Sequence, residues 1–229
     1  MIPTSRAVHC LLVAASIVVC GGLSAASDPE TDLVREAGDR VMSLRDLRFR
    51  GMFEQSTASS CGAAAVAMLA SLCLGSSVSE QEALAEVEAS VRARIDEGAE
   101  LTAVTALDLR SAARSLGLEV RGYRVAIDAL WDYFRQGGLP VIVHGTCPHP
   151  HFLTVLGIVG DEVSLADPSW GWELLPTDLL VQEKGFSGVI LVPILTEGQI
   201  ATAQDAQAEV LAGAAERRSI LRDLQVALP

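Results

Sequence analysis

The chain has 229 residues, half of them hydrophobic and a fifth charged, with nine prolines scattered along it. That length suits one domain of about 150–200 residues with extensions, and the composition argues against a disordered or low-complexity body. Seventeen Lys and Arg against 29 Asp and Glu give a net charge of -12, the wrong sign for a surface that neutralises phosphates, so nucleic acid is not an expected partner.

In chain order, the first element is a targeting segment. Arg6 precedes an apolar run from Ala7 to Leu23, and Ser24, Ala25, Ala26 and Ser27 follow before the acidic Asp28-Pro29-Glu30. A basic start, an apolar middle and a small-residue exit predict a signal peptide over 1–26, cut near Ala25 or Ala26. An uncleaved anchor of about seventeen apolar residues, at the short limit for a bilayer, and a lipoprotein through Cys20 are the alternatives. Cleavage would place the body outside the cytoplasm, periplasmic or secreted. Residues 27–47 form an N-terminal helical extension, with Leu33, Val34, Ala37, Val41, Met42 and Leu44 at helical spacing. Residues 49–55 read as irregular.

The run Cys61–Leu74, CGAAAVAMLASLCL, is apolar nearly all round and predicts a buried central helix, with Ser59 or Ser60 as its N-cap. Further helices fit 79–95, 102–116 and 127–137, stopped by Gly117 and Gly137-Gly138. The second half changes character. Leu118–Val125, Pro140–Gly145, Phe152–Val159, Val163–Ala166 and Gly188–Ile194 are rich in Val, Ile and Leu between turn signals and read as strands. The fold class is therefore α+β, a helical first half packed on a C-terminal antiparallel sheet. Residues 196–229 form a C-terminal helical extension, helical over 197–227, that docks on the domain or on a partner.

The candidate chemistry begins with cysteine. Cys10 and Cys20 leave with the signal, so Cys61, Cys73 and Cys147 remain, and at least one is unpaired even in an oxidising compartment. Cys61 opens a helix, where free amides and the helix dipole favour a thiolate; the competing reading is a small core residue. Gly62 beside it would let a substrate backbone come close. Gln55 stands six residues earlier, where its amide could serve an oxyanion. His151 begins the strand HFLTVLGI and suits a general base, and Asp167 ends the next strand in LADPSWG and suits the group that orients it. For His151 and Asp167 to lie opposite each other the hairpin must centre on Val159, whereas the turn signal is Gly160-Asp161, and only a bulge or a longer loop absorbs the offset.

Other readings of these residues stay open. His144, Cys147, His149 and His151 are close enough to suggest a metal site, against which the two prolines between them count. Cys73 and Cys147 form a disulfide, or Cys73 is a core side chain. Trp170 and Trp172 wall a cleft or cap the core. The chemistry calls for no cofactor, and none is expected. Lys184, the sole lysine, follows Val181-Gln182-Glu183 with no glycine cradle, so no P-loop and no ATP are expected.

The segment QSTASSCGAAAVAML, the strand start HFLTVLGI and LADPSWG together resemble the C39 peptidases, papain-like cysteine peptidases known for cutting bacteriocin leader peptides after a double glycine. The resemblance covers roughly residues 48–194, and places a peptidase domain over 48–195. It implies the papain-like fold, Cys61 as nucleophile, His151 as general base and acid, Asp167 as orienting carboxylate and Gln55 as oxyanion donor. Familiar members are cytosolic domains fused to a transporter and an ATPase, whereas this chain carries a predicted signal peptide. The expected function is an exported cysteine peptidase acting on an exported peptide or protein, with Gly-Gly cleavage an inherited expectation. The alternative is a non-catalytic module that holds a peptide within a secretion or surface-assembly system; a third reading is acyl transfer to an amine.

Overall fold

Residues 61–74 carry no charge and five alanines, so the helix they form has no face that prefers water and must be enclosed. In the structure, a computed structural model that describes residues 43–98, 100 and 103–227, helix α2 (Cys61–Leu74) is buried at eleven of its fourteen positions and ends at Gly75, whose left-handed backbone (φ 65°) suits a glycine. A short helix α1 (Leu44–Phe49), N-capped by Ser43 Oγ accepting from Asp46 N at 3.0 Å, precedes it. The expected signal peptide and most of the N-terminal extension lie outside the described residues.

Helices α3 (Glu80–Asp96) and α4 (Ala106–Ser115) both start on capping boxes, Ser79 with Glu82 and Thr105 with Asp108. The helix expected from 102 therefore begins four residues later, because Thr105 and Asp108 exchange hydrogen bonds that fix its first turn. Helix α5 (Ile127–Arg135) follows strand β1 (Val120–Arg124).

The remaining strands are β2 (Val141–Gly145), β3 (His151–Val159), β4 (Glu162–Asp167), β5 (Gly171–Pro176) and β6 (Val189–Pro193), with a short helix α6 (Leu179–Lys184) between the last two. They form one six-stranded antiparallel sheet in the order β1-β6-β2-β3-β4-β5. Strand β5 and helix α6 were not predicted: GWELLP has no apolar alternation, and six residues are too few to show helical periodicity.

Both faces of the sheet are covered, which is why its central strands are apolar without alternation. On one face α2, α3 and α4 bury Val120, Ile142, Phe152 and Leu191. On the other, Leu130, Trp131 and Phe134 of α5 and Leu180 of α6 cover Val143, Leu153 and Leu165. Each fully buried Leu or Val contributes about 1.5–3 kcal/mol relative to exposure.

The β3–β4 hairpin turns at Gly160-Asp161 and pairs Val159 with Glu162. Continued without interruption, that register would set Asp167 opposite Thr154, three residues from His151 and so on the other face. A bulge at Leu156 shifts the pairing to Val155 with Leu165 and Thr154 with Ala166. Asp167 consequently falls opposite Leu153, two residues from His151 and on the same face.

A long helix α7 (Glu197–Ala227) packs on α2 and on β3 through Ala203, Ala206, Val210 and Leu211. Gln207 Nε2 donates to Leu156 O at 2.6 Å and to Gly138 O at 3.0 Å, satisfying the carbonyl that the bulge exposes. Arg218 closes the hairpin end, donating to Val159 O at 3.4 Å and to Asp161 Oδ1 at 2.9 Å. The extension thus docks on its own domain. Ile220, Leu221 and Leu224 lie outside the described side chains. Among the described residues no helix is long and apolar enough to cross a membrane.

Candidate active site

Cys61 is the first residue of α2 and is half-buried. Ser60 occupies the N-cap position but does not cap: its hydroxyl accepts from Thr57 N at 3.0 Å and donates to Thr57 O at 3.2 Å. The first-turn amides of α2 are left without a side-chain acceptor, the arrangement that favours negative charge beside them. Gly62 does not serve the approach of a substrate. It is buried, and a Cβ there would stand 2.7 Å from Leu109 Cδ2, so the glycine lets α2 and α4 pack closely.

Gln55 is held in front of Cys61's helix from two directions. Its amide nitrogen donates to Pro168 O at 2.9 Å, tying it to the turn after Asp167, and its Nε2 donates to Thr57 O at 3.0 Å. The neighbouring Ser56 donates its backbone amide and hydroxyl to Glu80, at 3.2 and 2.9 Å. Glu80, nearly buried at the start of α3, thereby pins this loop. Nothing in the sequence marks it as other than a first-turn acid.

His151 begins β3. Its Nδ1 lies 2.9 Å from His149 O and its Nε2 lies 3.5 Å from Asp167 Oδ2, with no closer partner for Nε2. Both neighbours are acceptors, so the ring satisfies both only by donating from both nitrogens, which is the imidazolium form. Its pKa is accordingly raised, first by Asp167, then by the His149 carbonyl, against burial and the nearby Lys184, which lower it.

Asp167 is buried at the end of β4 and fully engaged. Oδ1 accepts from Ser169 N at 2.9 Å and Ser169 Oγ at 2.6 Å, while Oδ2 accepts from Lys184 Nζ at 2.9 Å and faces His151. Burial alone would raise its pKa, but the donors from His151, Ser169 and Lys184 override it and hold the carboxyl well below the ordinary carboxylate range. Lys184 and Ser169 were not anticipated; the lysine was read only for the phosphate loop it lacks.

One cleft of about 550 Å³ brings these groups together. Gln55, Cys61, His151, Asp167, Trp170 and Lys184 all line it. The two tryptophans divide the roles left open: Trp170, half-exposed, walls the cleft with Arg48 stacked 4.1 Å from its ring, while Trp172 packs into the core and donates Nε1 to Arg50 O at 2.7 Å.

The remaining cysteines and histidines go elsewhere. Cys73 and Cys147 are both free, so the disulfide reading is corrected; Cys73 is a core side chain whose thiol pKa burial pushes up to about 12. His144 turns to Ser187 Oγ at 2.9 Å, and burial lowers its pKa. Cys147 and His149 are exposed on the loop before β3.

Residues 50–197, more than half of the chain, match the peptidase C39 family. The chain belongs to that family. Its fold is the papain-like α+β fold, and by family the domain is a cysteine peptidase. Among curated proteins it is similar to the "Probable functional amyloid protease FapD" of Pseudomonas aeruginosa, 29% identical over 156 residues, 68% of this chain and 65% of that protein. The FapD of Pseudomonas fluorescens is 28% identical over 160 residues, 69% of this chain and 66% of that protein. The chain thus spans about 65% of the length of these relatives. Among solved structures, the peptidase domain of Streptococcus ComA, a bi-functional ABC transporter involved in a quorum-sensing pathway, matches in fold with a TM-score of 0.50 at 21% identity, covering 63% of this chain and 98% of that domain.

Proposed function

We propose that this protein is an exported cysteine peptidase that cuts a peptide bond of an exported peptide or protein. The observation that carries the reading is the single cleft lined by Cys61, His151, Asp167 and Gln55. In its neutral form, with the proton on Nε2 toward Asp167 and Nδ1 turned from the His149 carbonyl, His151 takes the Cys61 proton at Nδ1. The thiolate sulfur then forms a bond to the substrate carbonyl carbon. The oxyanion is held by the Gln55 amide, turned from Thr57, and by the uncapped amides of α2. As the carbonyl re-forms, the carbon–nitrogen bond breaks and the His151 imidazolium protonates the leaving amine. A water, deprotonated by the same imidazole, releases the acyl group and restores the thiol. Asp167 keeps the ring oriented and stabilises its charged form.

Export follows from the signal-peptide pattern of residues 1–26. Because the curated relatives are named functional amyloid proteases, the substrate class we favour is an exported, amyloid-forming protein, with a Gly-Gly leader as the other source. A secretion-system partner of α7 would bind its outer, polar face, since the apolar positions described on the inner side pack on α2 and β3.

The test is to incubate the mature chain with a peptide library made from exported proteins and read the new termini by mass spectrometry, beside Cys61→Ala. New termini that vanish in the variant are expected. Identical termini from both proteins would overturn the assignment, and an absence of cleavage together with tight retention of one peptide would favour the binding-module reading.

A further inference from the structure

Lys184 is the sole lysine of the chain, and it does not stand on the surface. Its side chain, on the last turn of α6, is 14% exposed, and Nζ reaches Asp167 Oδ2 at 2.9 Å and Glu173 Oε1 at 2.7 Å. An ammonium so enclosed persists only where opposite charge and hydrogen bonds meet it, and here two neighbouring strands, β4 and β5, each supply a carboxylate. Its backbone carbonyl accepts from Thr146 N at 2.9 Å and Cys147 N at 3.2 Å. One residue therefore grips, by its side chain, the partner of His151 and, by its main chain, the loop from which His151 emerges.

The choice of oxygen matters. Ser169 occupies Oδ1 of Asp167, whereas Lys184 takes Oδ2, the oxygen that faces His151 Nε2. The charged and titratable groups around the imidazole are Asp167 from β4, Lys184 from α6 with Glu173 of β5 behind it, His144 from β2, His149 in the preceding loop, and across the cleft Cys61 of α2 and Glu183 of α6. Lys184 is the cation among them that bonds Asp167.

We propose that Lys184 is a positioning residue: by holding Asp167 through the oxygen that faces His151, it fixes the carboxylate's orientation and weakens its pull on the imidazole. Without the ammonium, the charge of Asp167 would act on His151 uncompensated, and the ring would keep its second proton to higher pH, where a general base must be free to give it up. The inference rests on the peptidase reading.

The test follows the His151 imidazole resonances by NMR against pH in the full mature chain, comparing wild type, Lys184→Met, Lys184→Arg and the double variant Lys184→Met with Glu173→Gln. In Lys184→Met the His151 midpoint should rise by about one pH unit, the size of a lost charge contact. Lys184→Arg, which keeps the cation, should return it to within a few tenths of the wild-type value, a rescue that repaired packing alone would not give. Should Lys184→Met fail to fold, the double variant, which also removes the second carboxylate, is read instead with the same upward shift expected. An unmoved midpoint in the folded variant overturns the role of Lys184, whatever Cys61 does. Iodoacetamide labelling of wild-type Cys61 is measured beside it: slow labelling near pH 6 that ignores His151→Ala would overturn the peptidase reading instead, whatever Lys184 does.

Discussion

The two faces of the sheet do different work. The face under α2, α3 and α4 is closed mainly by small and aliphatic side chains with Phe152 among them, and the thiol of Cys61 sits at the rim where α2 begins. The opposite face, under α5 and α6, is apolar in its middle but ends in the polar set His151, Asp167, Lys184 and Glu173, with the exposed Ser169 bonding Asp167 from outside. The proposed nucleophile therefore comes from one layer and its proton-handling partners from the other, and they share a cleft because β3 begins and β4 ends at the same edge. Such a division separates the demands of packing from those of charge: α2 can be buried at eleven of its fourteen positions because it carries none of the ionised groups, and Asp167 and Glu173 can be enclosed because donors meet both carboxylates.

The sharpest test of that separation lies on α2 itself. Cys61→Ala should lower cleavage at least ~10³-fold while leaving the urea midpoint in place. Cys73→Ser, twelve residues on and fully enclosed, should do the reverse, keeping activity and costing about 1–3 kcal/mol for an unpaired hydroxyl. Equal effects of both on stability would erase the contrast.

Next come the two cores. Leu69→Ala on α2 and Leu153→Ala on the opposite face both remove a side chain with no exposure, and each should cost about 2–5 kcal/mol in denaturant unfolding. The faces differ in what else moves. Leu153 is the register position that Asp167 faces, so its loss should also displace the His151 titration, whereas Leu69→Ala should leave it unchanged.

Acid probes the charged face, together with Asp108 of α4, whose carboxyl burial would raise but Arg94 and Thr105 hold low. The Asp167 carboxyl is depressed in the folded chain, so it contributes stability that is present above its unfolded value of about 3.9 and is lost as pH falls below it. Unfolding free energy measured from pH 6 down to pH 2 should drop by on the order of 2 kcal/mol through this group. Asp167→Asn should flatten that part of the curve; an unaltered slope would mean that the carboxylate is not held as described.

The smallest expected effect concerns the joint between the layers and the terminal helix. Gln207→Ala leaves Leu156 O, the bulge carbonyl, without its donor, which should cost about 1 kcal/mol. If the bulge is what keeps His151 and Asp167 on one face, cleavage should fall by more than that loss of stability explains, and a strictly proportional fall would assign Gln207 a packing role only.

Much of this was legible from residue order. The buried helix at Cys61–Leu74 announced itself because fourteen successive uncharged residues leave no alternative to enclosure. The central strands were readable as continuous apolar runs, since both their faces are covered. Strand β5 and helix α6 were not, because an edge strand with mixed polarity and a single helical turn and a half carry no periodic signal. Asp167 looked like a plausible partner of His151, yet the offset turn at Gly160-Asp161 spoke against the pair; the bulge at Leu156 that reconciles them has no signature in the apolar run that contains it.

Side-chain pattern therefore sets which chain segments become enclosed and where a thiol, an imidazole and a carboxylate stand along them, because burial and helix starts are its local consequences. Which of those groups meet depends on how the layers pack. Face and register hang on one inserted residue, and the ammonium that completes the Asp167 site reaches it from a helix seventeen residues further along the chain, a juxtaposition that depends on how layers pack rather than on anything the neighbours of Lys184 encode.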